Sequence, residues 1–149
     1  MLKNINPLLN ADVLHALRAM GHGDDLIIAD SNFPGVSIAS QTSIGKLLHI
    51  DRSCAEVAEA VLSVMPLDSF VDDSAARMEV VGAPDEIPPI QKEVQSVIDA
   101  AEGKSWSMIG IERFAFYERA KNAFCIIQSS DRRFYGCFAF RMGVIPPDA

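Results

Sequence analysis

One histidine of this chain stands in a setting that suits proton transfer. His22 has a glycine on each side in the segment Gly21-His22-Gly23-Asp24-Asp25, so its side chain is uncrowded and its backbone can adopt unusual angles. An unperturbed pKa of about 6.5 allows a histidine to accept and donate protons at neutral pH. Taken alone, a loop histidine is more often an exposed residue without a chemical role.

Asp30 is a second candidate. It follows the continuous apolar run Leu26-Ile27-Ile28-Ala29, a pattern typical of a strand that is buried on both faces. Ligands of open α/β sheets bind at the carboxyl ends of the strands, and we therefore expect Asp30 to lie in a binding site. The alternative is that Asp30 caps the turn Ser31 to Gly35 that follows it.

The patterns of metal, nucleotide and covalent hydrolase sites do not occur. His15, His22 and His49 are widely spaced and form neither H-x-x-x-H nor H-E-x-x-H, so no metal site is expected. The sequence also lacks G-x-G-x-x-G, a Walker A motif and a G-x-S-x-G elbow. Cys54, Cys125 and Cys137 include no C-x-x-C pair, which indicates reduced thiols. These absences disfavour a metal centre, the usual nucleotide sites and covalent hydrolase chemistry.

Two segments near the C-terminus combine aromatic and polar residues. The segment 111–121 is dense in both, and its composition favours an amphipathic helix with Phe114 and Tyr117 in the core. Tyr135-Gly136 opens the last predicted strand. An aromatic ring beside a glycine can form a wall for the face of a sugar, or the pair can be an ordinary strand segment with a bulge glycine.

The elements that must position these residues alternate between helices and short strands. Helices are predicted for Asn10 to Met20, from the capping box at Ser53 through Val64, for Pro89 to Ala101 and for Arg113 to Asn122. Strands are predicted for Leu26 to Ala29, Phe70 to Val71, Met78 to Val81, Trp106 to Ile111, Phe124 to Gln128 and Tyr135 to Phe140, the last two as a hairpin. This alternation predicts one α/β layered domain over residues 1–149, with a largely parallel central sheet flanked by helices.

Composition and charge narrow the class of protein. A chain of 149 residues, 49% of them apolar, can bury one full core. Its net charge of −7 repels phosphate backbones and anionic membranes, which disfavours nucleic-acid and membrane partners. The stretch Met1 to Met20 lacks the layout of a signal peptide, and no apolar run approaches the roughly 20 residues of a membrane span. We expect a cytoplasmic protein.

The same segments resemble the family of L-fucose mutarotases and D-ribose pyranases over nearly the whole chain. The blocks that carry the resemblance include Ala19-Met20-Gly21-His22-Gly23-Asp24, Ala29-Asp30-Ser31-Asn32-Phe33-Pro34, Pro66-Leu67-Asp68-Ser69, the stretch from Arg113 to Phe124, and Tyr135-Gly136. The Arg-Phe-x-Phe-Tyr-Glu-Arg-Ala stretch resembles the fucose branch. The resemblance implies a ribose pyranase-like fold, a homodecameric toroid and a cofactor-free isomerase that acts on the anomeric centre of a free monosaccharide.

The resemblance also implies roles for individual residues. His22 matches the catalytic histidine of the family and Asp30 its sugar-binding aspartate. Arg113 matches the arginine of the Arg-Phe-x-Phe-Tyr block, and Tyr135-Gly136-Cys137 matches a sugar-binding triplet whose last residue is usually asparagine. Tyr117 is a further candidate for the pocket. A thiol is a weaker donor and acceptor than an amide, so Cys137 leaves the identity of the sugar open.

Mutarotation opens and recloses a hemiacetal ring, which requires one proton to leave the anomeric hydroxyl and another to reach the ring oxygen. We expect His22 to transfer protons in this way on L-fucose or a similar sugar, with Asp30 orienting a sugar hydroxyl or the imidazole. Three alternatives remain open. They are pyranose–furanose interconversion of the D-ribose pyranase type, a non-catalytic sugar-binding accessory of monosaccharide uptake, and an interaction protein whose subunit contacts are its only function.

Overall fold

Six strands form one sheet in the computed structural model, which describes residues 1–149, and five helices connect them. The elements follow along the chain as α1 (Ala11–Ala19), β1 (Asp25–Ala29), α2 (Gly35–Ala39), β2 (Leu48–His49), α3 (Cys54–Leu62), β3 (Ala75–Met78), α4 (Pro89–Glu102), β4 (Ile109–Ile111), α5 (Arg113–Lys121), β5 (Cys125–Gln128) and β6 (Cys137–Arg141). None of the five helices combines the length and the apolar character that crossing a bilayer requires.

The sheet is largely parallel, which confirms the predicted fold class. Its strand order is β2-β5-β1-β6-β3-β4. All pairings are parallel except those of β6, which runs antiparallel to both β1 and β3. Five strands therefore point in one direction, and their carboxyl ends lie along the same edge of the sheet. We call this the carboxyl edge and the opposite one the amino edge.

The predicted hairpin of the last two strands is wrong, because β1 lies between β5 and β6. Residues 129–136 cross over the carboxyl end of β1 rather than turning back beside β5. This crossing is held by two backbone hydrogen bonds, from Ser129 N to the carbonyl of Ala29 and from Ser31 N to the carbonyl of Asp131, both 2.8 Å long. A strand as apolar as β1 gains most when it lies inside the sheet and is paired on both sides.

Other predicted elements differ in position from those observed. Phe70, predicted to lie in a strand, is 71% exposed in a loop at the amino edge. Strand β3 ends at Met78, where the predicted strand began. Its Ala75 and Ala76 are buried in the two apolar clusters on opposite faces of the sheet, despite the low strand propensity of alanine. The short elements α2 and β2 were not predicted.

Local sequence signals explain where the helices begin and end. The predicted capping box at α3 is confirmed, since Ser53 Oγ accepts from Glu56 N and a Glu56 carboxylate oxygen accepts from Ser53 N. Asn10 Oδ1 accepts from Val13 N at the start of α1. Helix α4 begins with Pro89 and ends at Glu102, and it is capped by Gly103, whose φ of 71° is the left-handed conformation that glycine adopts easily.

The sheet separates two apolar clusters. The larger one packs α1, α3 and α4 against one face through residues such as Val13, Val57 and Val94. The smaller one packs α2 and α5 against the other face around Phe33 and Phe116. The last four residues of β1 are buried and alternate between the two clusters, as the sequence predicts. Strand β1 is therefore held between the two clusters, and the residues that flank it lie at opposite edges of the sheet.

Candidate active site

A cavity of about 230 Å³ opens at the carboxyl edge of the sheet. Strands β1, β3 and β4 end there, and the antiparallel β6 begins there. The side chains that line it are Asp30, Asn32, Phe33, Met78, Val81, Arg113, Tyr117, Phe134, Tyr135 and Cys137. Five of the residues that the sequence singles out thus surround one cavity, and Gly136 lies between two of them in the chain.

Asp30 is buried at the centre of this arrangement. Its Oδ1 accepts from Asn32 N at 2.9 Å, and its Oδ2 accepts from Gly136 N at 2.9 Å and from the Cys137 thiol at 3.6 Å. Burial raises the pKa of the Asp30 carboxyl, and the backbone donors of Asn32 and Gly136 oppose that rise. Its donors are all neutral groups. Asp30 therefore does more than cap the turn after β1, because it also fixes the start of β6.

The Tyr135-Gly136 pair is a tightly constrained turn. Tyr135 has a φ of 62°, which residues with a side chain rarely adopt. A Cβ on Gly136 would lie 2.6 Å from Ile90 Cδ1 and 3.1 Å from Asp30 Cβ, so a larger residue here would force these neighbours to move. The Tyr135 hydroxyl accepts from Val81 N at 3.1 Å. The turn thereby holds the tyrosine along the cavity wall.

Cys137 supplies a neutral, weakly polar part of the wall. It is 3% exposed. Burial, reinforced by the charge of Asp30, raises the pKa of the Cys137 thiol well above its ordinary value. The thiol therefore stays protonated and serves as a donor to Asp30, and it has no nucleophilic character at neutral pH.

Arg113 and Tyr117 reach the cavity from the first turns of α5. Glu112 caps this helix, since its carboxylate accepts from Phe114 N and from Ala115 N at 3.0 Å. Arg113 Nε donates at 3.0 Å to the hydroxyl of Tyr117, which lies one helical turn further along α5. Phe114, expected in the core, is instead 65% exposed, and Phe116 fills the core position. The exposed Phe114 ring packs edge to face against Tyr117, with the ring centroids 6.1 Å apart.

His22 does not line this cavity. It precedes β1, at the amino edge, where Gly23 N donates to the carbonyl of Met142 just beyond β6. Asp30 follows the other end of the same strand. Five residues at about 3.3 Å each separate the two positions by roughly 15 Å. The expectation that Asp30 orients the imidazole is therefore wrong within one chain.

The imidazole has a different carboxylate partner, Asp68. His22 Nε2 lies 3.1 Å from Asp68 Oδ2, and the rings of His22 and Phe70 contact each other edge to face at 5.6 Å. Asp68 is buried, and the hydrogen bond that it accepts from Phe70 N, followed by the one from His22, lowers the pKa of its carboxyl. A neutral imidazole that donates from Nε2 to Asp68 presents Nδ1 as an acceptor.

Asp68 is the functional candidate that sequence reasoning missed. It lies in the block Pro66-Leu67-Asp68-Ser69, which resembles the family but was assigned no role. Five residues of the cavity lining were also missed, namely Asn32, Phe33, Met78, Val81 and Phe134. Asn32, Phe33 and Phe134 are close in the chain to Asp30 or Tyr135, a signal that could have identified them. Met78 and Val81 reach the cavity only through the strand order.

Comparison with known proteins gives consistent matches. The model of a family described as RbsD / FucU transport protein matches residues 3–145. The chain is 38% identical to the fucose mutarotase of Homo sapiens, over 97% of this chain and 94% of that one. A crystal structure of a fucose mutarotase from Streptococcus pneumoniae in complex with L-fucose is 34% identical, with a TM-score of 0.86 over 97% of this chain and all of that one. The crystal structure of protein Atu2016, described as sugar-binding, is 64% identical, with a TM-score of 0.96 over 98% and 97% of the two chains.

Proposed function

This chain belongs to the RbsD / FucU transport protein family, and from that premise we propose that it is a mutarotase that interconverts the anomers of L-fucose or a closely similar free sugar. The observation that carries the proposal is the cavity at the carboxyl edge, which brings together Asp30, Arg113, Tyr117, Tyr135 and Cys137. The names of the full-length relatives supply the reaction and the sugar.

The size and lining of the cavity suit a monosaccharide. Its volume of about 230 Å³ lies below the roughly 300–1,000 Å³ of cavities that hold drug-sized ligands. One part of the wall is polar and offers the groups of Asp30, Asn32 and Arg113, which can bind hydroxyls. The other part is apolar and includes Met78 and Phe33, against which the C–H face of a sugar can pack.

We assign the proton transfer to His22 of a second copy of the chain. Because His22 and Asp30 lie at opposite ends of β1, they can serve one reaction only where the amino edge of one copy meets the carboxyl edge of another. This requirement favours the homo-oligomer that the sequence resemblance implies, and a decamer is our proposal for its size. The three buried free cysteines suit the reducing cytoplasm, where we propose that the assembly acts.

The proposed chemistry begins at the anomeric hydroxyl. Nδ1 of His22 takes the proton of this hydroxyl while the bond between the anomeric carbon and the ring oxygen breaks, and the ring oxygen receives a proton from a hydroxyl of the cavity. The side chains available for that step are Tyr117 and Tyr135. Asp68 stabilises the imidazolium that forms. Rotation of the open aldehyde followed by the reverse transfers gives the other anomer.

Saturation-transfer NMR on L-fucose tests this proposal. Wild-type protein is expected to accelerate exchange between the two anomer signals, and His22→Ala is expected to slow it about 10²–10⁴-fold. Cross-peaks between pyranose and furanose signals of D-ribose would instead indicate ring-size exchange. Sugar binding without faster exchange would indicate an accessory protein. Unchanged exchange in the His22→Ala variant contradicts the assignment of the histidine.

Mixed assemblies test whether the site spans two copies. His22→Ala and Asp30→Asn subunits are each expected to form slow assemblies alone. When the two are expressed together in equal amounts, about a quarter of the sites at a subunit contact combine a native histidine with a native aspartate. Partial recovery of anomer exchange is therefore expected. Recovery requires different chains to supply the two groups, so its absence contradicts the two-copy site.

A further inference from the structure

An amide in the core of the protein is joined to the cavity wall without lining the cavity. Gln91 lies in the first turn of α4 and is fully buried. Its Nε2 donates to the carbonyl of Met78 at 2.8 Å and to the carbonyl of Tyr135 at 3.0 Å. Both of those residues line the cavity, whereas Gln91 does not. The amide therefore connects two separate parts of the wall, the end of β3 and the turn before β6.

Arg77 fixes which way this amide points. It is buried, and its side chain lies on the α4 side of β3, while the next residue, Met78, lines the cavity. Its Nη1 donates to Gln91 Oε1 at 3.3 Å and its Nη2 to the carbonyl of Pro84 at 3.0 Å. Because a guanidinium only donates hydrogen bonds, the amide oxygen must face Arg77 and the amide nitrogen must face the two carbonyls.

The Tyr135 backbone needs such support. Its left-handed φ of 62° is disfavoured for a residue with a side chain, and such conformations persist only where their surroundings hold them. Four hydrogen bonds hold this turn, from Gln91 to the Tyr135 carbonyl, from Gly136 N to Asp30, from Val81 N to the Tyr135 hydroxyl, and from the Cys54 thiol to the Gly136 carbonyl. Asp30 and Val81 line the cavity themselves, whereas Gln91 and Cys54 do not. Of the two supports behind the wall, only Gln91 binds Tyr135 itself.

We propose that Gln91 and Arg77 are positioning residues for sugar binding, which set Tyr135 and Met78 in the cavity wall from behind the sheet. The identity of the ligand rests on the proposed function, whereas the hydrogen bonds do not. Replacing Gln91 with methionine keeps the side-chain volume close to its native value and leaves two buried carbonyls unpaired. The Tyr135 turn is then free to relax away from the geometry that binds the sugar.

The matched control is Gln95, one turn further along the same helix. Its Nε2 donates to Asp99 Oδ1 at 2.9 Å and to the carbonyl of Trp106 at 2.8 Å, and it does not contact the cavity wall. Gln91→Met and Gln95→Met therefore both remove a partly or fully buried amide from α4. Only the first change removes a support of the cavity.

The first measurement compares KM and kcat for anomer exchange of L-fucose. Gln91→Met is expected to raise KM about five- to tenfold and to change kcat less than twofold, since the wall binds the sugar in the ground state and in the transition state alike. Gln95→Met is expected to change neither. Arg77→Met is expected to raise KM less than Gln91→Met does, and the double variant no more than Gln91→Met alone. Equal KM values for Gln91→Met and Gln95→Met overturn the proposal.

The second measurement needs no sugar. Amide hydrogen exchange at Gly136, whose N–H donates to Asp30, is expected to speed up in Gln91→Met, relative to Gln95→Met at equal overall stability. Exchange at the wild-type rate in Gln91→Met overturns the proposal. If the wild-type protein fails to accelerate anomer exchange, the proposed function fails and this second measurement alone decides the role of Gln91. The two failures are therefore distinguishable.

Discussion

The two ends of strand β1 carry two aspartates with opposite kinds of partners. At the amino edge, Asp25 accepts four hydrogen bonds from the guanidinium groups of Arg119 and Arg141, at 2.9 to 3.2 Å. At the carboxyl edge, Asp30 accepts only from two backbone N–H groups and a thiol. One carboxylate is neutralised by cations of the protein, and the other has none.

This difference separates a structural carboxylate from one that can serve a ligand. The pair of arginines occupies both oxygens of Asp25, so nothing remains for another molecule to bind. Asp30 lies beside a cavity, and burial without a cation raises its pKa. A buried charge that is left without a counter-charge is costly. Its retention is typical of a functional site, where the ligand supplies the missing partners.

Replacing Asp25 is expected to have the largest effect on the protein. Asp25→Ala removes four hydrogen bonds from two largely buried guanidinium groups and leaves them only the more exposed carboxylate of Asp73. This should reduce the free energy of unfolding by about 3–5 kcal/mol. Urea denaturation at a fixed protein concentration measures this change. The control is Asp73→Ala, since Asp73 binds Arg141 at 2.7 Å but its side chain is 41% exposed. A loss of about 1 kcal/mol or less is expected there, and equal losses in both variants contradict the structural role of Asp25.

Replacing Asp68, at the same edge, is expected to have an intermediate effect, which is on the rate of anomer exchange. Asp68→Asn removes the charge that faces the His22 imidazole and keeps the shape of the side chain. Anomer exchange is expected to slow about tenfold to a hundredfold, part of what the imidazole itself contributes. Saturation-transfer NMR measures the rate, and Asp72→Asn, at an exposed position nearby, is the control. A wild-type rate of exchange in Asp68→Asn would mean that the charge of Asp68 does not contribute to the reaction.

The smallest effect concerns the dependence of stability on pH. Because the folded pKa of Asp30 is raised above its ordinary value of 3.8, the folded state binds this proton more tightly than the unfolded state does. The resulting stabilisation is complete below the unfolded pKa and is lost as pH rises through the folded pKa. Asp30→Asn lacks this contribution. The free energy of unfolding of the wild type, minus that of the variant, is therefore expected to increase as pH falls from 7 toward 4.

Urea denaturation of both proteins at several pH values measures the difference. A value that decreases on acidification would mean that the fold stabilises Asp30 in its charged form, and the contrast between the two ends of β1 would then disappear.

Much of the carboxyl edge could be predicted from the sequence, because its signals are local. The run Leu26 to Ala29 predicts a buried strand, and a residue directly after such a strand lies at its carboxyl end, which identifies Asp30. The same rule places His22 at the other end of β1, and the two were nevertheless expected in one site. A strand holds apart the residues that flank it, so only an arrangement of two copies can unite them.

The remaining features depend on contacts between distant segments. The hairpin expected for the last two strands does not form, because whether β5 pairs with β6 or with β1 depends on the burial of the whole sheet. Asp68 meets His22 across 46 positions and Gln91 meets Tyr135 across 44. Neither polar residue belongs to a motif that indicates its partner, so periodicity and spacing could not find these pairs.

The length of β1 also has a consequence for how the proposed activity depends on concentration. Under the proposed mechanism, a single copy carries every group that the reaction uses but forms no complete site, because β1 keeps its imidazole and its cavity apart. Catalysis would then occur only at the contact between copies, and the rate per chain would fall on dilution even while each chain stays folded. In an open row of copies, one end would expose a histidine without a cavity and the other a cavity without a histidine. Only closure into a ring would place every histidine at a cavity. The length of this five-residue strand would in this way make activity depend on assembly.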